Sequence, residues 1–263
     1  MLFCAEITDV RIIYNVLRSI AIKDYVILRP MEEGLKATLD EMKCVETSAY
    51  IPATMFSMYQ INSTSTDIIF KVSMKTLVEI LNIFGDDGNP NLKLSYKSPG
   101  SPLCIVMNHN EENITIDCEI RTMNVEDYND ISLADECNLN KVVINASIFV
   151  ELLNRLDNSA DELKVSLNPD PPYLTLVTTG IAGESEVNIS KSAESITVYQ
   201  CTKTTSSVYS FSNIRHILKV MGYADKVAIS TGESGLLGLQ LVISSDEKQM
   251  YVEYYVTSQY LTD

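Results

Sequence analysis

The sequence predicts an α+β protein of two similar domains. Three observations lead there: one helix–strand unit occurs four times, runs of short strands separate the copies, and cations gather on the helices of an otherwise acidic chain. Copy one is DVRIIYNVLRSIAIKDYVILRP from Asp9, and copy two is SMKTLVEILNIFGDDGNPNLKLSYK from Ser73. Copy three is SIFVELLNRLDNSADELKVSLN from Ser147, and copy four is SNIRHILKVMGYADKVAIS from Ser212.

Each copy opens on Asp or Ser, whose side-chain oxygen can accept from the free N–H groups of a first helical turn. An apolar stripe at helical period follows. Ile13, Val16, Leu17 and Ile20 share a face in copy one, and Ile214, Ile217, Leu218 and Met221 do so in copy four. After a polar turn comes a strand: YVILR, LKLSY, LKVSL and KVAIS. The starts lie 64, 74 and 65 residues apart, and copies one and three are offset by 138, copies two and four by 139. That pattern is a unit duplicated and then duplicated again, so two helices belong to each domain.

Between the helical units lie LKATLDE, VETSAYI, DIIFKV, LCIVMN and NITIDCEI in the first half, and PYLTLVTT, SEVNIS, SITVYQ, VYSFS, LGLQLVI and QMYVEYYV in the second. DDGNP, NPDPP and TGESG punctuate them, which predicts antiparallel sheets with the helices on one face. Residues 122–140, with five acids and no base, are expected to connect an N-terminal domain over 1–121 to a C-terminal domain over 141–263.

Composition excludes several classes. No apolar run approaches the roughly 18 residues that span a bilayer, and MLFCAEITDV lacks the basic start of a secretory signal. The six cysteines form no CxxC pair, and His109 and His216 sit at no ligand spacing, so no metal site or cofactor is expected. No Gly-rich phosphate loop is present. A nuclease would need carboxylates converging on metal ions. The candidate acids in EDYND and LADEC (Asp127, Asp130 and Asp135 among them) fall in the connector, so no catalytic residue is assigned.

The net charge is −15, from 20 Lys and Arg against 35 Asp and Glu. The helix windows 10–23, 72–83, 147–157 and 212–222 nevertheless hold seven of the 20 cations and three of the 35 acids. The seven are Arg11, Arg18, Lys23, Lys75, Arg155, Arg215 and Lys219. If the helices line a hole and the sheets form its outer wall, these cations meet the phosphates of enclosed DNA without reading bases, and the acidic exterior discourages binding outside.

Beyond this layout, KCVETSAYI (43–51), LNIFG (81–85), PDPPYLTLVTTGIAGESEV (169–187) and YVEYY (251–255) give the chain a specific likeness. Over roughly residues 3 to 256 it resembles the eukaryotic sliding clamps, and among them the Rad-one family of subunits of the nine-one-one checkpoint clamp. The resemblance implies a two-domain DNA-clamp fold of four βαβββ units, with antiparallel sheets outside and four helices lining a central hole. It implies a non-catalytic subunit of a heterotrimeric ring with Rad-nine and Hus-one type subunits, set on double-stranded DNA in the nucleus by a dedicated loader. The ring would serve as a platform for checkpoint signalling and repair enzymes. The sequence has no basic cluster of the import type, so nuclear entry would depend on a partner.

By the same resemblance, ENITIDCEI and GESEVNIS are the edge strands that meet neighbouring subunits, with Ile114, Ile116, Val187 and Ile189 at the joints. Replication clamps bind partner peptides beneath their connector, where Tyr128, Ile131 and Leu133 would lie in this chain. Two alternatives stay open: a homotrimeric replication processivity clamp of the same fold, and a 3′–5′ exonuclease.

Overall fold

The computed structural model describes the chain except for residues 42–43, 63–66, 86–89, 110–111, 126–130, 135, 137–138, 158, 182, 246–247 and 262–263. Two compact units result. One comprises Met1–Leu39, Ser48–Asn129 and Ser244–Tyr251, and the other Asp40–Thr47, Asp130–Ile243 and Val252–Asp263.

Copy one reads β1 (Phe3–Ile7), α1 (Val10–Ile20), β2 (Tyr25–Met31), β3 (Gly34–Glu41) and β4 (Val45–Pro52), followed by β5 (Met58–Ile61). Copy two reads β6 (Phe70–Ser73), α2 (Met74–Leu81), β7 (Asn91–Tyr96), β8 (Leu103–His109) and β9 (Ile114–Ile120). Copy three reads β10 (Asn140–Asn145), α3 (Ala146–Arg155), β11 (Glu162–Leu167), β12 (Leu174–Gly180) and β13 (Gly183–Ile189), then β14 (Ile196–Gln200). Copy four reads β15 (Thr205–Ser210), α4 (Phe211–His216), α5 (Leu218–Met221), β16 (Lys226–Thr231), β17 (Leu237–Ser245) and β18 (Lys248–Val256), then β19 (Tyr260–Leu261).

Every copy gives its first strand away. In the N-terminal unit the strand orders are β5-β1-β7-β8-β9 and β4-β3-β2-β6, so β1 pairs with β7 and β6 with β2. In the C-terminal unit they are β13-β12-β11-β15-β19 and β14-β10-β16-β17-β18, so β15 pairs with β11 and β10 with β16. The chain then returns after each copy to that same first strand. β5 pairs with β1, β14 with β10 and β19 with β15, and after copy two Met123 makes a single bridge to Lys71 of β6.

The helices pack in pairs, α1 with α2 and α3 with α5, and α2, α3 and α4 also pack against strands of their own unit. Ile13, Val16, Leu17 and Ile20 are all buried, as are Ile214, Ile217 and Met221. Burying one such aliphatic side chain stabilises the fold by about 1.5–3 kcal/mol. Phe70 stacks on Tyr96 across β6 and β7, with ring centroids 4.2 Å apart, inside the N-terminal unit. Gly34 holds the β2–β3 turn at φ +156°, where an added Cβ would meet the Ile51 carbonyl oxygen at 2.3 Å.

The helix starts differ from expectation in the second half. Asp9 accepts from the Arg11 N–H and Ser73 from the Thr76 N–H, so the first two caps stand. The third cap is Asn145, whose Oδ1 accepts from the Ile148 N–H at 3.2 Å, and Ser147 lies inside the helix, donating its hydroxyl to that same Oδ1. The fourth helix starts two residues early, with Ser210 at the cap position, because Phe211 turns inward to 0% exposure instead of extending VYSFS as a strand. An N-cap oxygen is worth about 1 kcal/mol. Asn145→Ala should therefore lower unfolding stability by about 1 kcal/mol in chemical denaturation. Ser147→Ala should stay within about 0.5 kcal/mol, and the reverse order would restore the cap to Ser147.

Candidate nucleic-acid and partner interfaces

Six of the seven predicted cations lie on helices, while Lys23 falls in the turn past α1, which ends at Ile20, and the seven fall into two groups by exposure. Arg18, Lys23, Lys75, Arg155 and Lys219 are exposed, and Arg11 and Arg215 are half-buried. The half-buried pair fastens turns. Arg11 Nη2 donates to the Gly85 carbonyl, just past α2, at 2.5 Å. The Arg215 guanidinium lies 4.0 Å from the Phe211 ring centroid and donates to the Asp157 carbonyl, just past α3, at 3.4 Å. Two bonds from Ser159, backbone first and then hydroxyl, with the Arg215 charge beside them, hold the Asp157 carboxyl below the usual carboxylate range.

The exposed cations differ in company. Arg155 pairs with Glu151 one turn earlier, and Lys75 with Glu79 one turn later at 3.9 Å. Exposed pairs of this kind are worth well under 1 kcal/mol and yield to a stronger anion. Arg18 instead lies over the Tyr14 ring of its own helix, 5.7 Å from the centroid. Lys219 projects from α5 with no acid at salt-bridge distance among the described residues. The i, i+4 spacing Glu151–Arg155 was present in the sequence as a signal of pairing.

Two of the sheet ends, β9 and β13, repeat one design. β9 ends the order β5-β1-β7-β8-β9, and β13 stands at the end of β13-β12-β11-β15-β19. Their burial runs in the same sequence, residue by residue. Ile114 is 42% exposed, Ile116 and Val187 are half-buried, and Ile189 is packed into its own unit at 7%. β9 thus offers the partly covered aliphatic pair Ile114 and Ile116, β13 offers Val187, and among the described residues each strand's backbone is paired on one side.

The connector lies against the C-terminal unit through residues that the sequence did not mark. Ile131 donates its N–H to Oε2 of Glu46, a carboxylate buried to 1% exposure. The Glu136 carboxylate accepts from the Glu233 N–H at 3.1 Å. Leu133 sits over Gly238, where an added Cβ would come within 2.7 Å of its Cδ1 and 3.1 Å of Tyr255 Cε1. Beneath is a cleft of about 350 Å³, lined by Ser132, Leu133, Ala134 and Leu139, with Lys141, Ser230, Gly238, Leu239, Gln240, Glu253 and Tyr255. Leu133 therefore lines it and Ile131 does not. Tyr128, with Asp127, Asp130 and Asp135, lies outside the described residues. An acid inside the apolar VETSAYI strand was the one signal that pointed to Glu46.

Filling the space over Gly238 tests that seat. Gly238→Ala should cost about 1–3 kcal/mol through overpacking and lift Leu133. The Ile131 and Glu136 amides should then exchange with solvent about tenfold faster while β16 amides keep their protection. Unchanged exchange at both positions would mean that Leu133 does not anchor the connector.

Comparison with known proteins identifies the family. Residues 2–243 match the family described as Repair protein Rad1/Rec1/Rad17. The chain is 29% identical over 256 residues to the cell cycle checkpoint protein RAD1 of Mus musculus, covering 95% of this chain and 90% of that protein. It is 27% identical over 256 residues to the Homo sapiens protein of the same name, with 95% and 89% covered. It is 27% identical over 267 residues to the DNA repair protein Rad1 of Drosophila melanogaster, with 99% and 95% covered. The chain belongs to the Rad1/Rec1/Rad17 family of repair proteins and is a checkpoint-clamp subunit of the DNA-damage response.

Proposed function

We propose that this chain is a non-catalytic subunit of a heterotrimeric ring that encloses double-stranded DNA in the nucleus. Subunits of the Rad-nine and Hus-one type would complete the ring, and a dedicated loader would close it around DNA. The observation that carries the reading is the matched pair of edge strands. β9 and β13 close the two ends of a twice-repeated topology with the same exposure pattern, as a ring subunit that continues its sheet on both sides requires.

The helices support the second half of the proposal. Within each unit they pair and carry exposed cations, against a net charge of −15 for the chain. Phosphate contacts from such cations position DNA without reading its sequence, so the ring slides. The 122–140 connector and the cleft under Leu133 would dock signalling and repair proteins, in keeping with a platform role.

Arg18 and Lys219 are the clean probes of the DNA-facing surface, because Arg11 and Arg215 also hold turns. Arg18→Glu with Lys219→Glu should leave ring assembly intact and weaken retention on closed circular DNA. It should also lower the slope of log K against log salt by about 0.9 for each phosphate that the ring no longer neutralises. Retention and slope equal to wild type would remove the helices from the DNA-facing surface.

The non-catalytic assignment has its own test. Asp127→Asn, Asp130→Asn and Asp135→Asn together should leave any trace nuclease activity of the purified chain unchanged. Metal-dependent degradation that co-purifies with the wild type and vanishes in the triple variant would overturn it.

A further inference from the structure

The outer faces of the two edge strands carry a charge pattern that says what can sit beside them. In β9, Asp117 and Glu119 stand opposite Val106 and Cys104 of β8. The buried residues of β8 are Leu103, Ile105 and Met107, so the two acids point away from the core. In β13, Glu184 and Glu186 stand opposite Thr179 and Val177 of β12 and are likewise exposed. Neither strand contains a Lys or Arg. No cation pairs with any of these four carboxylates among the described residues. The neighbours of two of them are neutral: Asn188 Nδ2 donates to Glu186 at 2.5 Å, and Cys104 Sγ lies 3.8 Å from Glu119.

Consider β9 of one copy laid antiparallel against β13 of a second, overlapping fully. Ile116 then meets Val187 on the inner side, which is favourable. On the outer side Asp117 faces Glu186 and Glu119 faces Glu184. Directly opposed side chains are about 5 Å apart, and like charges there destabilise the pair. Pairing β9 with β9, or β13 with β13, sets Asp117 against Asp117 or Glu186 against Glu186. Arg121 and Lys191 lie beyond the strand ends and reach only the ends of such a pair. The apolar rows permit self-pairing, and the acidic rows decide against it.

We propose that the acidic outer rows of β9 and β13 prevent this chain from pairing with itself and fit it to neighbours whose edge strands present Lys or Arg on the outer face. The proposal rests on the ring-subunit reading above and adds the chemistry of the neighbours. Charge on an edge strand is a known guard against wrong pairing. Here the same charge is placed where a basic partner would convert it into attraction.

The test is a gain of assembly. Asp117→Lys with Glu119→Lys makes β9 complementary to the β13 of another copy, and both sites are exposed, so the fold should hold. By analytical ultracentrifugation the wild type should sediment as the 29.3 kDa chain. The double variant should form salt-sensitive head-to-tail oligomers with roughly thirtyfold tighter self-association. Glu184→Lys with Glu186→Lys should do the same from the other edge, and combining all four changes should abolish the gain. Two outcomes overturn the proposal. One is that neither double variant self-associates more than wild type, and the other is that the fourfold variant associates as tightly as the doubles. If the wild type still co-assembles with two heterologous clamp subunits in those cases, the ring reading survives without the charge rule. A stable, salt-insensitive wild-type homotrimer would overturn both.

Discussion

The exchange of first strands is the constraint on which the rest of each unit depends. Copy one cannot complete a sheet around β2, β3 and β4 without β6 of copy two, and copy two cannot extend β7, β8 and β9 without β1. Each first strand leads straight into a helix, so exchanging strands also brings the two helices together, α1 against α2 and α3 against α5. The return segments then cover the far side of each lent strand, three as strands and one as the Met123 bridge. Of the strands that end the sheets, β9 and β13 are the last main strands of copies two and three, and among the described residues each has one open side. Their exposure follows from the topology and does not require a special loop or insertion.

This dependence explains which parts of the fold could be read from the sequence. The helices and most strands announce themselves by period, and the spacing of the copies gives the duplication. β1, β5, β10 and β19 do not stand out. FCAEI mixes small and polar residues, MYQI is short and half-exposed, NKVVIN follows directly on the connector, and YL has two residues. Their strand character comes from the partner waiting for them, which is a tertiary effect that local pattern does not encode. The cap shifts have a similar origin. Several hydroxyl and amide residues crowd each helix start, and packing of Ala146 and Phe211, both 0% exposed, selects which one becomes the cap.

For the candidate interfaces, charge placement was legible and charge partnership was only partly so. The bias of cations onto the helices is a property of composition. Arg155 with Glu151 follows from spacing of four. Arg11 reaching the Gly85 carbonyl and Arg215 reaching the Asp157 carbonyl span 74 and 58 residues, and no local rule gives them. Glu46, the buried anchor of the connector, lies 85 residues from Ile131 and belongs to the same class.

The division of labour among the cations bears on how the proposed ring would hold DNA and still slide. Arg11 and Arg215 are tied to carbonyls of the chain, so their guanidinium groups are fixed in place by the fold. Lys75 and Arg155 share their charge with acids one turn away, and a phosphate would have to compete with a carboxylate for each. Arg18 and Lys219, one on each helix pair, have no acid at salt-bridge distance among the described residues. In the proposed ring, cations held in these ways would exchange many weak contacts as DNA moves, while the net −15 of the whole chain would keep other DNA away. The electrostatics of the helices and of the edge strands follow one rule. In the proposed ring, acid would exclude the wrong neighbour, whether a second copy at β9 or DNA outside, and Arg18 and Lys219 would mark where a polyanion is admitted.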